Sequence, residues 1–247
     1  MPYHRCSRFR LGLVALVWLV FQAVTTTGHA QEQFDFRVLL GDQDIGSHRF
    51  TINLADNVET IDIEASFKVT FLGIPVYRYT HTNREVWRDG CLGSIRAQTN
   101  DNGDLFSVDG QRILQEFQIS NQAESYRVAQ SCVMTFAYWN MAMLEQDRLL
   151  NAQTGEYLPI QIDDLGEEML VLPGGKQRAS RYRLRNVEQE IDITVWYESE
   201  SGRWLSLESR VDDDQTIRYI PVAIPSTSIT QSAVVGQLQD NNEVHTR

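Results

Sequence analysis

Tyr77, Tyr79, His81, Asn83, Glu85 and Trp87 alternate without interruption along one face of a predicted strand, Val76 to Arg88. Aromatic rings at spacing two offer apolar area with a hydrogen-bonding tip, and a histidine among them can serve as acid, base or ligand near neutral pH. The same spacing also suits plain cross-strand aromatic packing. The opposite face carries Arg78, Thr80, Thr82, Arg84 and Arg88, and a second cationic face holds Arg181, Arg183 and Arg185. Planar guanidinium forks grip carboxylates or phosphates, or pair with acids such as Asp192, Glu198 and Glu208 on neighbouring strands. The run TFAYWNMAMLEQDRLL, Thr135 to Leu150, adds Tyr138, Trp139 and Asn140 among methionines. That composition suits the wall of an irregular apolar cavity or simple core filling. The ligand-binding set expected from these residues is Tyr77, Tyr79, His81, Trp87, Tyr138, Trp139 and Asn140, with Arg78, Arg84 and Arg183 meeting a polar headgroup.

Other chemistry finds no footing. His48, His81 and His245 lack metal-ligand spacing, and Asp212 to Asp214 lacks the glycine and distal glutamate of a calcium loop. No GxSxG or SxxK motif occurs, and the nearest glycine-rich element is Pro173, Gly174, Gly175. No metal, cofactor or catalytic residue is expected.

The elements that must position these residues are strands. From Phe34 onward apolar residues recur at period two, with Asp, Asn and Gly turns between runs: Phe34, Phe36, Val38, Leu40; then His48, Phe50, Ile52, Leu54; then Ile61, Ile63, Ala65, Phe67. The pattern breaks once, from Cys132 to Leu150, which fits a short helical or irregular crossover. The expected fold is all-β, a curved antiparallel meander forming a barrel or half-barrel, because accumulated twist and open edges force a long sheet to curl.

Residues 1–30 read as a secretory signal peptide, with Arg5, Arg8 and Arg10, an apolar run from Leu11 to Val24, and small residues before Gln31. Residues 31–220 read as a single β domain and 221–247 as a disordered polar tail. The 247-residue chain has net charge −11, so loss of three leader arginines brings it near −14. That charge disfavours nucleic acid and generic anionic surfaces, and no transmembrane segment follows the leader. Cys91 and Cys132 remain as a pair, expected to form one disulfide in an oxidising compartment.

IGSHRF (Ile45 to Phe50), FLGIPVYRYTHTNREVWRDGCL (Phe71 to Leu92), AYWNMAML (Ala137 to Leu144), LLNAQTGEYLPI (Leu149 to Ile160) and GRWLSLE (Gly202 to Glu208) occur in this order. Together they resemble an uncharacterised domain-of-unknown-function family of exported Gram-negative all-β proteins, similar to periplasmic lipid- or glycolipid-binding β families. The resemblance implies a periplasmic or secreted protein and assigns no catalytic residue. The function expected from residues and resemblance is a carrier for a lipid-like amphipathic ligand. The alternatives are a cell-envelope scaffold with a protein partner, or an enzyme in which His81 meets Glu85, Ser66 or Asp192.

Overall fold

The computed structural model describes residues 30–211 and 214–223, and these are built almost wholly of antiparallel strand. The expected leader, save Ala30, and the expected tail from residue 224 onward lie outside the described residues. Strands β1 (Ala30–Leu40), β2 (Gln43–Ala55), β3 (Val58–Phe71), β4 (Ile74–Arg88), β5 (Cys91–Asp101), β6 (Asp104–Ile113), β7 (Glu116–Ser120) and β8 (Ser125–Val128) form one meander. A crossover follows, holding a 3-10 turn (Met141–Glu145) and the short pair β9 (Arg148–Leu150) and β10 (Tyr157–Pro159). A second meander then runs through β11 (Gln161–Leu172), β12 (Gly175–Asn186), β13 (Ile191–Glu198), β14 (Trp204–Arg210) and β15 (Thr216–Pro221). Because β15 pairs with β1, the two meanders join into one thirteen-stranded sheet whose outer strands are β8 and β11.

A sheet this wide cannot stay flat, and its apolar face must wrap around something. It wraps around the crossover without closing, since β8 and β11 share no ladder. Phe36, Phe50, Ile61 and Trp87 from the strands meet Met134, Met143 and Leu150 from the crossover in one core. Trp204 sits among Phe36, Phe50 and Tyr138, at ring separations of 4.3, 5.0 and 5.5 Å. Each such ring removes a large apolar area from water, so this cluster is a major source of stability.

The turns explain the tightness of the meander. Asp56 and Asn57, Asp89 and Gly90, and Asn102 and Gly103 all adopt positive φ, the conformation whose twist matches that of paired strands. Gly46 is obligatory for a different reason: a Cβ there would lie 2.0 Å from the Ser66 carbonyl oxygen, at φ +144°.

Three links hold the start of the crossover to β4 and β5. Cys91 and Cys132 form a disulfide, the Leu92 amide donates to the Val133 carbonyl over 3.0 Å, and Trp139 packs edge-on against Trp87 at 5.2 Å. Downstream, the Leu150 amide donates to the Met134 carbonyl and the Asn186 side chain to the Pro159 carbonyl, both over 2.8 Å.

Two residues expected to open the tail, Pro221 and Val222, instead pair with β1. Pro221 ends β15 opposite Phe36, and the Val222 amide donates to the Asp35 carbonyl over 2.9 Å. A proline is tolerated at a strand end, where its missing N–H costs no ladder bond.

The disulfide spans a sequence separation of 41, so replacing both cysteines by serine should lower unfolding free energy by about 4 kcal/mol in the chain-entropy account. Urea denaturation with and without reductant checks this, and superimposable curves would contradict it.

Candidate functional site

Alternation along β4 turns Tyr79, His81, Asn83, Glu85 and Trp87 inward and leaves Arg78, Thr80, Thr82 and Arg84 exposed. The inward stripe passes from wet to dry. At the rim, the half-buried Tyr77 donates to Asp101 Oδ1 over 2.7 Å. At the far end Trp87 is fully buried and donates from Nε1 to Glu85 Oε2 over 2.7 Å. Glu85 Oε1 also accepts from Asn83 Nδ2 over 2.8 Å, and Oε2 from the Thr135 hydroxyl over 3.3 Å. A carboxyl buried in the core therefore has three donors, one of them from the crossover.

Between rim and core lies a hollow of about 250 Å³. Its walls include Tyr79, His81, Phe50, Tyr138, Ile193 and Tyr219. Gln153 helps roof it, accepting from the Tyr79 hydroxyl over 3.1 Å and donating to Asp101 Oδ2 over 3.2 Å. The loop carrying Gln153 is pinned by the Tyr126 hydroxyl on the Gly155 carbonyl, over 2.6 Å, and by Asn121 Nδ2 on the Thr154 carbonyl, over 2.8 Å.

Two residues that line the hollow, His48 and Asn83, each carry a polar atom, Nε2 and Oδ1, that is buried with no hydrogen-bond partner. Such atoms are uncommon in folded proteins, because an unmet buried donor or acceptor costs about 1–3 kcal/mol. The other His48 ring nitrogen is 3.0 Å from the Tyr219 hydroxyl, and His81 Nδ1 is 2.8 Å from the Thr99 hydroxyl.

The electrostatics are those of a neutral compartment. Burial, with repulsion from His81 added, pulls the His48 pKa down to about 3. Burial alone pulls His81 down to about 4. Burial raises Glu85 despite its three donors, and raises Tyr79, Tyr138 and Tyr219. No lysine or arginine lines the hollow.

The placement separates the residues expected from the sequence into groups. Tyr79, His81 and Tyr138 line the hollow, Tyr77 stands at its rim, and Trp87 lies beneath it. Trp139 is core packing. Asn140 caps the 3-10 turn, its Oδ1 accepting from the Ala142 amide over 3.0 Å.

Arg78, Arg84 and Arg183 correct the expected headgroup contact, for all three lie on the outer face. Arg84 meets Asp62 over 3.0 Å, and Arg183 grips Asp192 with two bonds of 2.7 Å. Arg84 borders a depression of about 510 Å³, larger than the hollow but lying on that outer face. Of the partners an enzyme reading requires for His81, Ser66 is exposed on the outer face and Asp192 is held by Arg183, while Glu85 lines the same hollow as His81 but is hydrogen-bonded by Asn83, Trp87 and Thr135. Among the described residues no group of three metal-ligating side chains converges.

Sequence reasoning passed over His48, Thr135, Gln153 and Tyr219. His48 had a usable signal, being the one polar residue on the inward side of the Phe50, Ile52 strand. Thr135 and Gln153 lie in the crossover, where no periodicity marks a side.

With both histidines well below their ordinary 6.5, an unfolded chain takes up these two protons first as pH falls. The stability they confer is complete above about pH 6.5 and declines toward pH 4, while the raised Glu85 acts in the opposite sense, stabilising below its ordinary value and less as pH rises. Imidazole nitrogen NMR of the folded protein should find both rings neutral at about pH 5. Protonation of either ring near pH 6 would contradict the geometry.

No curated protein matches the chain in sequence. A crystal structure described as a beta-barrel-like protein of domain of unknown function DUF1849, from Brucella abortus, is similar in fold. Its TM-score is 0.54 at 9% identity, with 78% of this chain and 95% of that one covered. At that identity the likeness is one of fold alone. The model of a domain of unknown function, DUF6134, matches residues 36–222, and the chain belongs to that family.

Proposed function

We propose that the chain is a binding or carrier protein for a small, uncharged, lipid-like amphipathic ligand, working in the periplasm or outside the cell. The observation that carries this reading is an aromatic-lined hollow two of whose lining residues, His48 and Asn83, hold buried polar atoms, Nε2 and Oδ1, without a partner. A ligand with a hydroxyl or amide at one end and an apolar body would cover the rings and, once the His48 and Asn83 side chains turn toward it, give their open atoms partners. Charge argues for a neutral head: no cation lines the hollow, both imidazoles are neutral at pH 7, and Glu85 would repel an anion if ionised. The hollow is smaller than most drug-sized pockets, so it fits a compact molecule or one end of a longer one. The scaffold alternative calls for a solidly packed interior, which the hollow disfavours.

Native mass spectrometry after mild extraction should recover the protein with an uncharged small molecule attached. In a second measurement, the neutral probe N-phenyl-1-naphthylamine should gain fluorescence on binding. Ala152 lines the hollow, so Ala152→Trp should weaken the probe by roughly tenfold or more. Arg84→Gln, on the outer face, should leave it unchanged. A mass spectrum without any adduct, joined to equal probe binding by wild type and Ala152→Trp, would overturn the reading.

A further inference from the structure

The β3–β4 hairpin outruns its neighbours. The β2–β3 ladder stops at Phe67 and the β4–β5 ladder at Tyr79, so from Lys68 to Arg78 the two strands pair only with each other. Outside that ladder the hairpin is tied to its neighbours near its base, by Gln43 on Thr70, by the Tyr77 hydroxyl on Asp101, and by the Asn102 amide, which donates to the Arg78 carbonyl over 2.7 Å, so the part that stands free is Phe71 to Val76. The projecting end is apolar: Phe71, Leu72, Ile74 and Val76 are 68, 87, 66 and 53% exposed.

The turn chemistry is equally unusual. Leu72 adopts φ +50°, a conformation that costs an ordinary side chain about 1 kcal/mol or more and that Asn, Asp and Gly tolerate best. The comparable turns of this sheet use Asp56 and Asn57, Asp89, and Asn102. A leucine held there with its side chain in water serves neither the core nor the turn. Leu114 has the same backbone conformation and is 90% exposed at the opposite rim, but only Ile113 accompanies it.

Beneath the apolar tip, Lys68 and Arg78 face each other across the ladder. Neither has an ion-pair partner among the described residues, whereas Arg181, Arg183 and Arg185 are all paired with acids. An apolar tip above a cationic collar is the arrangement by which proteins sit in a bilayer interface, rings and aliphatic groups among the acyl chains and cations at the phosphates. We infer that this hairpin docks the protein on an anionic phospholipid surface. The acidic body does not forbid this, because at physiological salt charges farther than about 8 Å are largely screened, and the nearby Asp101 is engaged by Tyr77 and Gln153. The inference does not depend on the hollow being occupied.

Co-sedimentation with vesicles tests it, using phosphatidylcholine alone and phosphatidylcholine mixed with phosphatidylglycerol. The full protein should bind the mixed vesicles and bind phosphatidylcholine more weakly, the difference shrinking as salt rises. The triple variant Phe71→Ser, Leu72→Ser, Ile74→Ser should lose about tenfold or more on both, while keeping a melting temperature close to that of the wild type because these side chains are mostly exposed. Lys68→Glu with Arg78→Glu should remove the preference for anionic vesicles only, and Leu114→Ser should change nothing. Absence of wild-type binding to the mixed vesicles, or equal binding by the triple variant, overturns the inference. So does a concentration-dependent dimer that the triple variant abolishes while vesicles go unbound, which would assign the tip to a second copy of this chain.

Discussion

Everything about the interior follows from one constraint: a broad antiparallel sheet that hides one face must satisfy each polar group it takes inside. Glu85 is the severest case. Its carboxyl lies in the core among Asn83, Trp87 and Thr135, and all three donate to it. Two of those donors are on its own strand, so the third, from the crossover, makes the carboxyl a seat for that segment. Without Thr135 in place Glu85 is under-bonded, and without the crossover the concave face has nothing to close upon. The disulfide and the Leu92 to Val133 bond hold the same junction from the neighbouring strand.

The stripe on β4 is consequently graded. Trp87 belongs to the dry core, Glu85 to the floor where core and hollow meet, Asn83 and His81 to the wall of the hollow, and Tyr77 to the rim. The Trp87 and Glu85 side chains find their partners, whereas Asn83 Oδ1 and, on the neighbouring wall, His48 Nε2 are left open. A neutral interior is also what keeps this arrangement tolerable, since two protonated imidazoles and an ionised carboxyl would each need solvation that the surroundings do not supply.

Much of this was legible in the residues. Period-two alternation located the strands, and it already separated Arg78 and Arg84 from Tyr79 and Glu85, since consecutive residues of a strand point to opposite faces. A headgroup site joining those arginines to the aromatic stripe was thus in tension with the pattern that revealed the stripe. The crossover was legible only as a break: its path depends on long-range bonds such as Thr135 to Glu85 and Asn186 to Pro159, which leave no local period. Pro221 and Val222 were placed outside the sheet for a similar reason, because their partners lie in β1, far away in sequence.

The account's central claim is that the open polar atoms of the hollow belong to a ligand. A high-resolution crystal structure of protein purified gently from its native source tests that most directly. The account predicts continuous density for an organic molecule within hydrogen-bond reach of both His48 Nε2 and Asn83 Oδ1. A hollow holding only ordered water bridging those two atoms, or closed by its own side chains, would contradict it.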